Sequence, residues 1–437
     1  MHNRKLNELE YLNWLVGQPS NISMAITIKG NLQKELLYNA LEKVQKKHPI
    51  LEAQLDIDED GHPFLIWGNI GNIPIQIIPR TEKNQYKKII EEEVRTPFKT
   101  GNQCSLPLIR VKVLFSSQKF DLIITILHVI ADGMSMVFLF KDILDFIIEP
   151  EKKYQIQEVV KIAENVLPAY YQKKIPTTPR KFNRYFWFVK RIVKIYRFKK
   201  RLGKKNNVKI NLEPMDYENK KFMTYNWNLT KQQSQMFIKK AKENNVTVHS
   251  ALCTIFLSDF SRINNPVNLR SRLAYSVGDS VGCFAGGMVI KSKFKIGKSF
   301  WKNAKNYHKK LIKNVQSDKV FSFCKIFSRA VPIKAFNEFM PIVHELVSNN
   351  PTLMVTNLGS LDKFNILFAS KNFRVENIYE GVTGALDALI LAIYTVENKI
   401  NFCLHYYRPP YTEEEIEKYV SNAKSLLNKV LSHRSSG

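Results

Sequence analysis

Residues 122–127, Leu-Ile-Ile-Thr-Ile-Leu, limit what this chain can become more than any other stretch. A strand with one face in water alternates apolar and polar side chains, whereas a run that is apolar at nearly every position has both faces covered. Residues 107–115 do alternate, with Leu108, Val111, Val113 and Phe115 apolar, and the short polar link Ser116-Ser117-Gln118 predicts a hairpin between the two strands. Residues 134–148 follow with helical spacing of Met134, Val137, Phe138, Phe140, Ile143, Leu144 and Phe146. A doubly covered strand that leads into an amphipathic helix makes the first half a mixed α/β structure.

The rest of the chain keeps that character. In the first half, strands are expected at 22–28, 51–55, 63–67 and 73–78, with helices at 32–47 and 82–94. Gly30-Asn31 is a turn, and His48-Pro49 ends the first helix because a residue before proline avoids the helical region. The second half repeats the alternation. Strands or extended segments are expected at 222–229, 268–275, 282–291, 352–357, 388–396 and 400–407, and helices at 231–243, 247–260 and 300–315. Thr412 opens a last helix, with Glu415 three residues later in capping-box spacing. A chain of 437 residues exceeds one ordinary core. The single break in composition is at 180–205, which carries twelve Lys/Arg, seven aromatics and no acid. The expected organisation is therefore an N-terminal domain at 1–175, a basic aromatic linker at 176–215 and a C-terminal domain at 216–437.

Lys+Arg number 66 against 39 Asp+Glu, a formal charge of +27. Such a surplus selects partners rather than folds: a lipid surface, an acidic protein, nucleic acid or a phosphorylated cofactor. In 180–205, the aromatic residues beside lysine and arginine suit either a solvated linker or an interfacial helix. Nucleic acid is not expected, because no nucleic-acid fold signature accompanies the segment. The five cysteines, Cys104, Cys253, Cys283, Cys324 and Cys403, are scattered and form no CxxC pair, which argues against a disulfide framework or a zinc site. No secretory signal and no spanning helix are apparent, so a cytoplasmic protein is expected, with peripheral contact at the inner membrane face through 180–205 if that segment binds lipid.

The chemistry-bearing residues sit where the covered strand ends. His128 follows it directly, and Asp132 and Gly133 complete His-Val-Ile-Ala-Asp-Gly. Ends of strands are where α/β sheets present reactive groups. A neutral imidazole removes protons well near neutral pH. Gly133 removes a side chain beside it, and a buried Asp132 requires a cationic partner. By itself the pattern is short enough to arise around a core histidine and an ordinary Asp-Gly turn.

The stretch resembles the His-x-x-x-Asp-Gly motif of the superfamily of chloramphenicol acetyltransferase, nonribosomal peptide condensation domains, polyketide-associated acyltransferases and alcohol acetyltransferases. Many of these carry a second histidine one position earlier, where this chain has Leu127. That departure leans toward the plain acyltransferases. The resemblance extends to residues 32–51, ending His-Pro-Ile-Leu, and to Thr96-Pro97-Phe98 with Leu106-Pro107-Leu108-Ile109-Arg110. In the second half, Asn268-Leu269-Arg270 with Gly282-Cys283-Phe284, and Val355-Thr356-Asn357-Leu358-Gly359, look like further family segments. Cys283 stands where asparagine is common, Thr356 stands where serine is common, and no DFGWG segment of the plant branch is present.

The resemblance implies two chloramphenicol-acetyltransferase-like domains packed as a pseudo-dimer, with His128 as general base in a tunnel between them. It implies a structural Asp132 salt-bridged to an arginine of its own domain, assigned to Arg110, and a substrate channel near Thr356 and Asn357, with Thr356 as an oxyanion donor. No metal and no bound cofactor are expected; acyl-CoA or an acyl carrier protein would bring the thioester. Expected partners are a small-molecule or lipid acceptor and an acidic carrier protein, and the protein is expected to be a monomer. The leading activity is acyl transfer to a hydroxyl. The alternatives are a free-standing condensation enzyme that forms an amide, and a non-catalytic scaffold.

Overall fold

A computed structural model of the chain describes residues 2–15, 17–158, 160, 165–173, 220–321, 352–362, 373–382 and 389–432. The basic aromatic segment 180–205 and Cys324 lie outside these.

The first half begins with β1 (His2–Lys5) and α1 (Glu8–Leu15), then β2 (Asn21–Lys29), α2 (Lys34–Lys47), β3 (Ala53–Ile57), β4 (Pro63–Trp67), β5 (Ile75–Pro79), α3 (Gln85–Glu93), β6 (Ile109–Phe115), β7 (Lys119–Leu127), α4 (Gly133–Ile148) and a short α5 (Ala169–Lys173). The second half contains β8 (Lys221–Asn228), α6 (Lys231–Glu243), α7 (Val248–Ile255), β9 (Arg262–Asn268), β10 (Ala285–Lys291), α8 (Phe300–Val315), β11 (Leu353–Ser360), β12 (Arg374–Val382), β13 (Leu389–Val396), β14 (Lys399–Arg408) and α9 (Glu413–Ser432).

The covered strand behaves as its composition requires. All six residues 122–127 are buried. Leu122, Ile124 and Ile126 join one core with Leu41 and Val44 of α2 and Val137, Phe140 and Leu144 of α4, while Ile123 faces the opposite way, into a smaller cluster with Tyr86 and Ile90 of α3. Thr125, the polar exception, meets Ser23 of β2 at 2.9 Å between hydroxyls. The predicted hairpin joins β6 to β7, with Ser116 and Lys119 closing it.

Three sheets form. The first-half sheet has the order β12-β2-β7-β6-β5, the second-half sheet β10-β9-β11-β13-β14-β8, and β1-β4-β3 make a small third one. Both large sheets mix parallel and antiparallel pairs, so the α/β class holds. The sheet of the first half is completed from the second: β12 lies antiparallel to β2, with Tyr379 opposite Ala25. Helix α1 also crosses over, since its Leu9 packs in the second-half core beside Phe237, Tyr307 and Leu391.

Several element boundaries depart from the sequence expectation. Residues 268–275 are not extended; the strand is the earlier, polar β9, and a short 3-10 turn at Arg270–Arg272 follows it. The helix expected at 247–260 ends at Ile255 and passes into a 3-10 turn at Phe256–Ser258. The last helix starts as predicted, with Thr412 Oγ1 accepting from the Glu415 backbone N–H (3.2 Å) and the Glu415 carboxylate accepting from the Thr412 N–H (3.0 Å). No helix among the described residues is long and apolar enough to cross a membrane.

Candidate active site

His128 stands in the turn that follows β7, where the chain leaves the sheet before α4 begins. Its backbone N–H donates to the Ser20 carbonyl at 2.8 Å, and the turn is closed by Ile130 N–H to the Leu127 carbonyl at 3.0 Å. The imidazole is half-buried. Its Nδ1 is fully covered and has no hydrogen-bond partner among the described residues. Burial lowers its pKa from the ordinary histidine value, against backbone interactions at His128 and Ala131 and the charge of Asp132. The ring is therefore neutral near pH 7, the form that can accept a proton.

Asp132 caps α4. Its Oδ1 accepts from the Ser135 backbone N–H (2.8 Å) and the Ser135 hydroxyl (2.9 Å), and its Oδ2 accepts from the Phe284 N–H (3.0 Å). The cation that burial demands is Arg270, which donates from both terminal nitrogens, at 2.8 Å to Oδ2 and 3.1 Å to Oδ1. Both side chains are nearly covered, at 9% exposure for Arg270 and 3% for Asp132. Burial alone would raise the Asp132 pKa, but Arg270 and the Ser135 and Phe284 donors outweigh it and hold the carboxyl below its usual range.

The expected pairing of Asp132 with Arg110 is thus corrected. Arg110 pairs with Glu93, donates to the carbonyls of Glu93 (3.0 Å) and Thr96 (2.8 Å), and stacks over Phe98 at 4.2 Å. These contacts join Thr96 and Phe98 to Arg110 and brace the approach to the hairpin, not the motif. The aspartate is held from the other half. Arg270 follows β9, and Gly282 to Phe284 precede β10; the Ser135 hydroxyl accepts from the Gly282 N–H (3.1 Å), and its oxygen lies 2.8 Å from the Gly282 carbonyl, which competes with Asp132 for the single hydroxyl proton. Arg270 was visible in the sequence as part of Asn268-Leu269-Arg270. Its attachment to Asp132, 138 positions away, depends on tertiary folding that no local pattern encodes.

Gly133 is small for a different reason than expected. A Cβ there would meet the Leu358 side chain at 2.9 Å, so the glycine lets β11 approach the start of α4. Along β11, Leu353 and Val355 belong to the second-half core, while Leu358 belongs to the first. Alternation puts half-buried Thr356 on the face opposite Val355. Asn357 accepts the Gly359 N–H at 2.8 Å through Oδ1, at a bulge where Gly359 takes φ 75°. Cys283 is buried and receives Asn13 Nδ2 at 3.0 Å, tying α1 to the same loop as Phe284.

A cavity of about 450 Å³ opens beside the His128 turn. Leu127 and Val129, which flank His128 in the chain, line it together with Trp14, Leu15, Gln18 and Leu55. A larger open cleft, about 740 Å³, runs along α9 past Tyr225 and Lys424 and contains no histidine or cysteine. The remaining described histidines have other work. His48 is buried between Asp142 (2.7 Å) and the Val281 N–H (3.4 Å), and His249 contacts Asn265 Oδ1 at 2.9 Å. Among the described residues, no three His, Cys, Asp or Glu side chains converge as a metal site would need.

Burial depresses the pKa of His48, His128 and His249, for His48 against the opposing effect of Asp142 and for His249 against Asn265. Between those depressed values and about 6.5, the unfolded chain binds more protons than the folded one, so stability rises with pH. The urea midpoint should therefore fall as the pH drops from about 7.5 to about 5.5. An unchanged midpoint would mean that these rings take up protons without opposing the fold.

Mixed sheets in two halves, a histidine at a strand end and a helix-capping aspartate clamped across the halves define a fold of the condensation and acetyltransferase type. Solved structures that share it include the following three. Polyketide synthase associated protein 5 from Mycobacterium tuberculosis superposes with TM-score 0.64 at 14% identity, over 99% of this chain and 98% of that one. Trichothecene 15-O-acetyltransferase from Fusarium sporotrichioides gives 0.66 at 12%, over 97% and 94%. The first condensation domain of the calcium-dependent antibiotic synthetase gives 0.67 at 10%, over 99% and 97%. The family model for the condensation domain matches residues 17–437, and the chain belongs to the condensation-domain family, whose members are transferases that form amide or ester bonds.

Proposed function

We propose that the protein is an acyltransferase in which His128 is the general base. The acyl group arrives as a thioester on coenzyme A or an acyl carrier protein. His128 takes the proton of an acceptor hydroxyl as its oxygen attacks the thioester carbonyl. The tetrahedral oxyanion collapses, the carbon–sulfur bond breaks, and the thiolate leaves with the proton returned to it. The observation that carries this reading is the division of labour within the motif. Asp132 is fully engaged by Arg270, Ser135 and Phe284 and cannot serve as a base, whereas His128 is neutral and free of side-chain partners among the described residues.

The placement of Thr356 on the face of β11 opposite the second-half core residue Val355 supports it as an oxyanion donor, with Asn357 shaping the channel wall. The cavity flanked by Leu127 and Val129 has the volume of a small-molecule site and is the route we assign to one substrate. The clamp between Asp132 and residues 270–284 supports a tunnel between two chloramphenicol-acetyltransferase-like domains, divided at 176–215 and entered from opposite faces. The second reading, amide formation by a free-standing condensation enzyme, uses the same base. The fold neighbours include a condensation domain as well as an O-acetyltransferase; Leu127 in place of the earlier histidine is what favours the ester.

Free-thiol release from a panel of acyl-CoA thioesters and loaded carrier, with and without a pool of lipid alcohols and amines, tests the proposal. Acceptor-dependent release that vanishes in His128→Ala is expected, and alkaline lability of the product separates ester from amide. Silence with every donor would leave the non-catalytic scaffold standing.

A further inference from the structure

Acyl transfer leaves one feature of the surface unused. Residues 291–319 contain ten lysines and a single acid, Asp318. On α8, Lys302, Lys305, Lys309 and Lys313 recur at three- and four-residue spacing and are exposed, opposite the buried Ala304, Tyr307 and Leu311. None of the ten lysines pairs with a carboxylate among the described residues. The strand and the helix form one continuous face. Lys310 Nζ donates to the Lys291 carbonyl at 3.0 Å. Asn303 fixes the connecting loop to the first turn of α8, accepting from the Lys295 N–H (3.0 Å) and donating to the Lys295 (3.1 Å) and Lys298 (3.3 Å) carbonyls. At the tip of that loop, between Lys295 and Lys298, Ile296 is 95% exposed.

We propose that this face docks the protein onto a bilayer containing anionic lipids, with the lysines over the headgroups and Ile296 in the acyl boundary. Lysines do protect exposed sheet edges from pairing, and among the described strands β10 lies at a sheet edge. That role accounts for Lys291 but not for the row along α8. It also fails to explain an exposed aliphatic side chain at the centre of the charge, because edge protection selects against one. A helix of 16 residues spans about 24 Å, long enough for its four aligned lysines to act together on a planar charged surface. A folded acidic partner would have to offer a matching pocket for one isolated isoleucine, whereas a bilayer accepts it anywhere. The surface is distinct in sequence from 180–205, and the inference is independent of the acyl-transfer reading.

The full chain is to be co-sedimented with vesicles of phosphatidylcholine alone and of phosphatidylcholine mixed with phosphatidylglycerol. Binding is expected only to the mixed vesicles and should weaken with salt. The combined Lys302→Glu, Lys305→Glu, Lys309→Glu and Lys313→Glu variant should bind at least ~10-fold more weakly. Ile296→Ser should bind several-fold more weakly with the salt dependence retained. Because these side chains are exposed, thermal unfolding should be unchanged in both variants. Equal binding to both vesicle types, no binding to either, or undiminished binding by the fourfold variant would overturn the proposal. So would variants that keep vesicle binding but lose transfer from an acidic carrier, since the face would then receive a protein.

Discussion

Arg270→Ala should destabilise the protein by about 3–5 kcal/mol, the largest effect expected of any single surface-distant substitution near the motif. The magnitude follows from what is left behind. Asp132 is buried, and without the guanidinium its carboxylate keeps the backbone N–H donors of Ser135 and Phe284 and a share of the Ser135 hydroxyl proton, but loses its only counter-charge among the described residues. The side chain must then either remain ionised at a desolvation cost or take up a proton and weaken the cap of α4. Either way, its pKa should rise from its depressed value. Stability that is present above the ordinary aspartate range, and lost as pH falls through the folded pKa, would then begin to be lost at higher pH than in the wild type. Asp132→Asn combined with Arg270→Met should recover part of the loss, because removing both charges leaves neither unpaired. Chemical denaturation of the two single variants and the double variant measures the coupling; additive losses would show that the pair does not act as a unit.

His128→Ala should lower kcat/KM by roughly 10²–10⁴ while leaving the unfolding transition near its wild-type position. A general base works in its unprotonated form, so activity tracks the fraction of neutral imidazole. Burial lowers the His128 pKa, which moves the acidic limb of the pH–rate profile below the usual 6.5 or so. The wild-type rate should thus be level through neutral pH and decline only on further acidification, and the variant's residual rate should lack that limb. A His128→Ala protein that is folded and transfers acyl groups at the wild-type rate would remove the histidine from the mechanism.

What the sequence disclosed and what it hid divide along physical lines. The doubly covered β7, the hairpin before it and the capping box at Thr412 are local, set by side-chain period or by residues three apart. The position of His128 at a strand end followed from the same periodicity. Strand β9, Arg-Ile-Asn-Asn-Pro-Val-Asn, was hidden because its composition is that of a loop; Asn265 is buried inside it, bonded to Met288 and Ile263 carbonyls. Strand β12 was hidden because it earns its place by pairing with β2 rather than by its own pattern. The partner of Asp132 was misassigned for a related reason. Burial of the carboxylate dictated that a cation must be near, but only the chain's long-range path decides between Arg110, already taken by Glu93, and Arg270.

That pairing of β2 with β12 also sets a schedule for synthesis. Lys29 meets Arg374, so roughly 350 residues must follow β2 out of the ribosome before its outer edge finds a neighbour, tens of seconds at about 5–20 residues per second. For most of that interval, once Leu127 has emerged, β7 can already be hydrogen-bonded to one side of β2, while the other side offers unpaired backbone beside Ile22, Met24, Ile26 and Ile28. The nascent first half is therefore a sheet with an adhesive border, and its safe passage depends on how quickly translation delivers the strand that closes it.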